Sequence, residues 1–333
     1  MLFYIKICYH KLVFENNIGR NWDLISLLLM GQIGQLFLMI LMGYILVKSG
    51  LLKSTDSKTI SIIVLYLVIP CTIINSFQVD YTVETRNGLI LAVIAAIFIH
   101  IIFFALTKLL GKIFKFNSIE KASIIYSNAG NLIIPIVAGI LGDKWVLYCC
   151  GFMSVQLVFL WTHCKMMISE EKGADLRKII INVNTIAILI GLILFITGIK
   201  LPGITKDTVA AVSKLIAPLS MIVAGMLMAG VKLRTIFTTK RIYLVALMRM
   251  IIYPAVVLVF FKLTNLTSYV PDGYTILLIS FLATMTPSAS TVTQMAQVYD
   301  NDADYANMIN VFTVLVCIAT MPLMVMAYEI ILK

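Results

Sequence analysis

The chain has 333 residues, of which 61% are hydrophobic and only 13% charged, and its mean hydropathy is +1.00; a soluble domain of this length needs far more surface charge. A net charge of +10 would suggest nucleic acid in a soluble chain. Here Lys and Arg instead gather between apolar runs, as they do in the cytoplasmic loops of membrane proteins, so a nucleic-acid partner is excluded and an all-α polytopic membrane protein is expected.

Residues 1–20 scatter Lys6, His10, Lys11, Glu15 and Arg20 among apolar residues and read as neither a spanning helix nor a signal sequence. A working protein beginning near Trp22 or Asp23 is as good a reading as a functional arm, so 1–23 is set aside as an N-terminal extension. Apolar runs of roughly 20 residues, the length that crosses a bilayer, follow near 24–47, 56–78, 87–107, 118–141 and 144–164. The polar insert 169–178, which contains Glu170, Glu171, Lys172, Asp175, Arg177 and Lys178, reads as a cytoplasmic linker. Five more runs lie near 179–199, 208–230, 241–261, 274–297 and 304–330. Ten spans are therefore expected, in units 24–168 and 179–333. With both termini outside, the inner loops hold 15 Lys and Arg and the outer side 9, which is the favoured orientation.

The two units align on shared landmarks: Asp56 with Asp207, Pro70 with Pro218 and Pro135 with Pro287. Five is odd, so a second copy of five spans must insert upside down, giving an inverted repeat. Spans four and nine are each interrupted, by Ser127-Asn128-Ala129-Gly130-Asn131 running to Pro135 and by Ala283-Thr284-Met285-Thr286-Pro287-Ser288. Interrupted apolar segments placed alike in two halves point to a transporter's substrate site. Proline removes a backbone donor, and freed carbonyls at membrane depth need partners. Asn128 and Asn131 carry amide donors and acceptors, Gly130 lets the chain turn, and Thr286, Ser288, Thr291 and Gln294 surround the second break. Half-helix N-termini meeting there would offer N–H groups and partial positive charge to a carboxylate. Thr291 and Gln294 are also candidate ion ligands.

Arg249 lies eight residues beyond Arg241, roughly 12 Å along a helix; it could neutralise an anionic substrate or snorkel back to the headgroups. His100 and His163 read as structural. No Asp or Glu lies in the middle of a span, which weakens a carboxylate-based ion relay and leaves a coupling ion, H⁺ or Na⁺, open. Asp300-Asn301-Asp302-Ala303-Asp304 opens like a calcium loop, but Tyr305 replaces the turn glycine and Val311 the final Glu, so no metal site is expected. Cys8, Cys71, Cys149, Cys150, Cys164 and Cys317 form no C-x-x-C pair and read as packing residues. No cofactor is expected.

With these features in place, the chain resembles the auxin efflux carrier family of membrane permeases from Leu24 to Ile331. The likeness is carried by the run from Leu36 to Leu46, by Val68-Ile69-Pro70, by Asn128-Ala129-Gly130-Asn131 with Pro135, and by Pro287 in its hydroxyl-rich setting. The resemblance implies a five-plus-five inverted repeat with crossing broken helices in spans four and nine, as in bile-acid/sodium symporters and cation/proton antiporters. It also implies organic-anion transport by alternating access at the cell membrane. Plant members have Asn-Pro-Asn and often a long central loop. This chain has Asn-Ala-Gly-Asn and a short linker, so it looks like a bacterial permease for a small carboxylate such as malate or malonate. A non-transporting receptor on the same fold is the alternative. A homodimer is left open, and an intramembrane enzyme is disfavoured because neither a zinc-protease motif nor paired membrane-depth carboxylates are present.

Overall fold

A computed structural model describes residues 22–169, 181–231 and 233–332. The N-terminal extension through residue 21, residues 170–180 (which take in the expected linker 169–178 beyond its first residue) and the side chain of Asn131 lie outside the described residues.

Every regular element among the described residues is a helix. Up to residue 169 these are α1 (Trp22–Lys48), α2 (Ser54–Ser76), α3 (Val83–Ile113), α4 (Ser118–Ile125), α5 (Ala129–Ile140) and α6 (Asp143–Ser169). From residue 181 on the main helices are α7 (Val183–Thr197), α8 (Gly203–Gly230), α9 (Lys240–Thr264), α10 (Gly273–Thr284), α11 (Ser290–Val298) and α12 (Ala303–Leu332), with short helical turns at Leu233–Thr238 and Leu266–Ser268. Six of them, α2, α3, α6, α8, α9 and α12, are long and apolar enough to cross a membrane. The segment Gly34–Lys48 of α1, α7 and α10 are shorter apolar helices.

Local chemistry sets the helix ends. The Thr82 hydroxyl accepts the Thr85 N–H at 3.1 Å and caps α3. Asn117 and Glu120 form a reciprocal box at the start of α4, with bonds of 2.8 and 3.0 Å. Gly198, at φ +70°, ends α7 in the left-handed conformation that glycine adopts without strain. Proline in a helix clashes with the carbonyl four residues back. Ahead of Pro70 and Pro254 the helix widens into π-turns, Val64–Val68 and Met248–Ile252, which accommodate that clash.

Most helix contacts fall into two groups, which meet where α5 packs against α1 and α8, and where α12 packs against α1. Helices α1, α2, α7 and α8 pack on one another; α3–α6 and α9–α12 form the other group. The closest contact is between α1 and α8, where any Cβ on Gly43 would run into the Ile222 carbonyl and any Cβ on Gly225 into the Ile40 carbonyl. Such small residues let membrane helices approach backbone to backbone. Leu38, Met42 and Ile45 on α1 and Ile193 and Ile196 on α7 stay exposed, as expected of surfaces facing lipid.

Candidate functional site: the crossing of two broken helices

The α4–α5 and α10–α11 breaks meet in antiparallel fashion, pairing Ser127 with Ser288. The Asn128 N–H donates to the Pro287 carbonyl at 2.9 Å and the Ala289 N–H to the Tyr126 carbonyl at 3.0 Å. Each break thus satisfies backbone groups of the other in a place with little access to water.

Neighbouring helices complete the accounting. On α6, the Gln156 amide nitrogen donates to the Ser127 carbonyl at 2.8 Å, and its oxygen accepts from the Ser127 N–H at 3.1 Å and hydroxyl at 2.5 Å. On α12, the Asn310 amide donates to the Ser288 carbonyl at 2.7 Å, while the Thr313 hydroxyl accepts the Ser288 N–H at 3.1 Å. Both bridge residues therefore have N–H and C=O held by side chains of the following helix. Sequence reasoning missed Gln156, Asn310 and Thr313. The available signal was an amide isolated in each of two apolar runs, as in Val155-Gln156-Leu157 and Ile309-Asn310-Val311.

Arg249, in the π-turn of α9, is fully buried. Its Nη1 donates to the Ile124 carbonyl at 2.9 Å and its Nε to the Thr286 carbonyl at 3.1 Å; the guanidinium carbon lies 5.9 Å from the Phe103 ring centre. The Ile124 carbonyl is in the last turn of α4 and the Thr286 carbonyl lies two residues past the end of α10, both at helix C-termini, where dipoles place partial negative charge. The snorkelling alternative is overturned: with no exposed surface, Arg249 does not reach the headgroups.

The other expected site residues divide. Thr286 and Ser288 are buried and neither lines a cavity found at the crossing. The Thr286 hydroxyl donates to the Ala283 carbonyl at 3.0 Å, the acceptor that Pro287, lacking an N–H, leaves open. Pro135 lies inside α5, eight residues beyond Ser127, whereas Pro287 immediately precedes Ser288. The two prolines are thus not equivalent at the crossing, and the pairing of serines replaces the pairing of prolines as its landmark.

A cavity of about 400 Å³, the larger of two flanking the crossing and hence called the large cavity, opens on one side of it. Asn128, Gly130, Gln156, Thr291 and Gln294 line it among apolar and aromatic residues, and none of its lining residues is charged. The Asn128 side chain does not cap α5 and is half-buried. The first N–H groups of α5 and α11 have no acceptor within their own helices, and both N-termini reach this cavity through Gly130 and Thr291. A second cavity of about 250 Å³ lies beyond the crossing, lined by Thr72, Asn75, Pro135, Asp143, Ser213 and Lys214 among others. The large cavity ends at Ile69 and Gly130, and the second begins at Thr72 and Ile134. One turn of α2 and one of α5, roughly 5–6 Å of helix rise, separate them.

The two histidines are tied into packing. His100 Nδ1 donates to the Ala96 carbonyl at 2.7 Å. His163 Nδ1 bonds the Tyr126 hydroxyl at 2.9 Å while that hydroxyl donates to the Phe159 carbonyl at 3.0 Å.

Buried crossing half-helices among helices long and apolar enough to cross a membrane fit a multi-pass membrane protein. Residues 28–325 match the family model described as membrane transport protein, the auxin efflux carrier family, and the chain belongs to that family. No curated protein matches the chain in direct comparison. The family is one of membrane transporters.

Proposed function

We propose that the protein is a secondary carrier that moves a small organic anion, such as malate or malonate, across the cell membrane by alternating access. The carrying observation is the pair of cavities that end one helical turn apart on opposite sides of the crossing. In this reading the chain spans the membrane ten times as a five-plus-five inverted repeat with both termini outside. The large cavity then faces the cytoplasm. The group α3–α6 with α9–α12 moves against α1, α2, α7 and α8, opening one cavity as it closes the other.

The uncharged lining of the large cavity favours binding of a carboxylate by neutral donors: the N-termini of α5 and α11, Asn128 and Asn131, with Thr291 and Gln294 alongside. Arg249, Thr286 and Ser288 are assigned to holding the crossing. A hydrogen bond to a charged group contributes about 1.5–3 kcal/mol. Asn128→Ala is therefore expected to weaken apparent affinity by about tenfold or more, without loss of thermal stability because its amide caps nothing.

The test is uptake of labelled malate, malonate, citrate and auxin into proteoliposomes under imposed H⁺, Na⁺ and voltage gradients. Saturable uptake of one acid, weakened by Asn128→Ala and by Asn131→Ala in folded protein, supports the carrier and assigns its coupling ion. Unaltered uptake in both variants overturns the site, and no uptake of any of the acids by folded protein overturns the proposed cargo class.

A further inference from the structure

A third cavity, of about 490 Å³, lies away from the crossing. Lys108, Lys112, Lys121 and His163 line it together with Phe104, Ile125 and Met167. Lys108 and Lys112 are one turn apart near the end of α3, so they share a face. Lys121 reaches across from α4: a Cβ on Gly111 would sit 3.3 Å from its Cε, so the missing side chain at 111 leaves room for the lysine stem against α3. No hydrogen bond or ion pair occupies any of these three ammonium groups among the described residues. The neighbouring carboxylate, Glu120, is taken by Arg241 at 2.6 and 2.9 Å and by the Tyr305 hydroxyl at 2.9 Å. Three neighbouring cations with no counter-charge among the described residues repel one another unless an anion enters.

The position of the cavity indicates which anion. Helix α3 has 31 residues, roughly 46 Å of helix against an apolar bilayer core of about 30 Å, so its last turns rise into the headgroup layer. Leu109 and Ile113, 60% and 64% exposed, alternate with Lys108 and Lys112 on the same stretch. They present apolar surface to acyl chains where the lysines present charge. Basic pockets between membrane helices at this depth suit acidic headgroups, and Phe104 and Met167 give the cavity an apolar wall.

We propose that this cavity binds the phosphate headgroup of an anionic phospholipid from the adjoining leaflet, at a site separate from the transport pathway. The full-length protein is purified and its retention of phosphatidylglycerol against phosphatidylcholine is measured by native mass spectrometry. Wild type is expected to retain phosphatidylglycerol selectively. The triple variant Lys108→Gln/Lys112→Gln/Lys121→Gln should lose that selectivity by on the order of tenfold or more, and the corresponding triple Arg variant should keep it. Lys48→Gln/Lys53→Gln/Lys58→Gln, which removes as many exposed charges elsewhere, should also keep it. Retention by the 108/112/121 Gln variant, or equal loss in both Gln variants, would overturn the site. Displacement of the lipid by soluble glycerol phosphate would overturn the lipid as its occupant. Lys121→Gln alone is read if the triple variant aggregates, and it should lower selectivity several-fold, with no change counting against the proposal.

Discussion

Replacing Arg249 by Met removes a buried cation that bonds carbonyls at the C-terminal ends of both α4 and α10. The lost bonds run from Nη1 to the Ile124 carbonyl at 2.9 Å and from Nε to the Thr286 carbonyl at 3.1 Å. Bonds to a charged donor contribute about 1.5–3 kcal/mol each, and a buried acceptor left unpaired costs about 1–3 kcal/mol. Burying the guanidinium is itself costly by several kcal/mol, and Met fills much of the same volume, so the gross loss is partly offset. The net destabilisation expected is about 2–4 kcal/mol. Arg249→Lys retains the charge but not the fork that reaches both carbonyls, and should recover about half of it. The assay is thermal and denaturant unfolding of detergent-purified protein, run beside uptake. A structural clamp predicts that Met lowers stability and that Lys partly restores it. Wild-type stability in Arg249→Met combined with a raised KM for the anion would refute the clamp and return Arg249 to the substrate site.

Gln156→Leu strips the Ser127 N–H, carbonyl and hydroxyl of their partners and should cost roughly 3 kcal/mol; an unchanged unfolding midpoint would show that the bridge does not depend on α6. Gly225→Leu forces a side chain into the Ile40 carbonyl and should abolish monodisperse protein in size-exclusion chromatography, whereas Gly34→Leu, where a Cβ meets nothing, should not. Glu120→Gln breaks the pair with Arg241, whose side chain is 38% exposed. Solvent reaches Arg241, but Glu120 is 2% exposed and also accepts from the Asn117 N–H and the Tyr305 hydroxyl, so the expected loss is about 1.5–3 kcal/mol, read as a fall in melting temperature; an unchanged melting temperature would contradict it.

Much of the helical layout was legible because a bilayer imposes length and polarity rules that a single sequence carries openly. The apolar runs and the two breaks could be read from hydrophobicity, Gly, Pro and clustered hydroxyls. Less visible was which polar side chain reaches which backbone group. Gln156 lies 29 residues from Ser127 and Asn310 lies 22 from Ser288, separations that only tertiary packing converts into contact. Arg249 was recognisable as an unusual charge, but its direction depends on a π-turn ahead of Pro254 that turns it toward α4 and α10. Pro135 misled for a related reason: proline marks a missing donor, yet α5 absorbs it within a continuous helix. Thr286 and Ser288 were read as cavity groups because hydroxyls near a break suggest a ligand. The backbone at the break uses Thr286 directly, and both residues are sealed from the cavity.

The claim that one crossing divides two alternately opened cavities is tested most directly by accessibility from each side of the membrane. Single cysteines replace Thr291, in the large cavity, and Ala210, in the second, in a background without native cysteines that retains uptake. Sealed vesicles are then treated with an impermeant maleimide from one side or the other, with and without the transported acid. The account predicts that the two positions label from opposite sides and that the acid changes their rates in opposite directions. Labelling of both from the same side, or rates that rise and fall together, would contradict it.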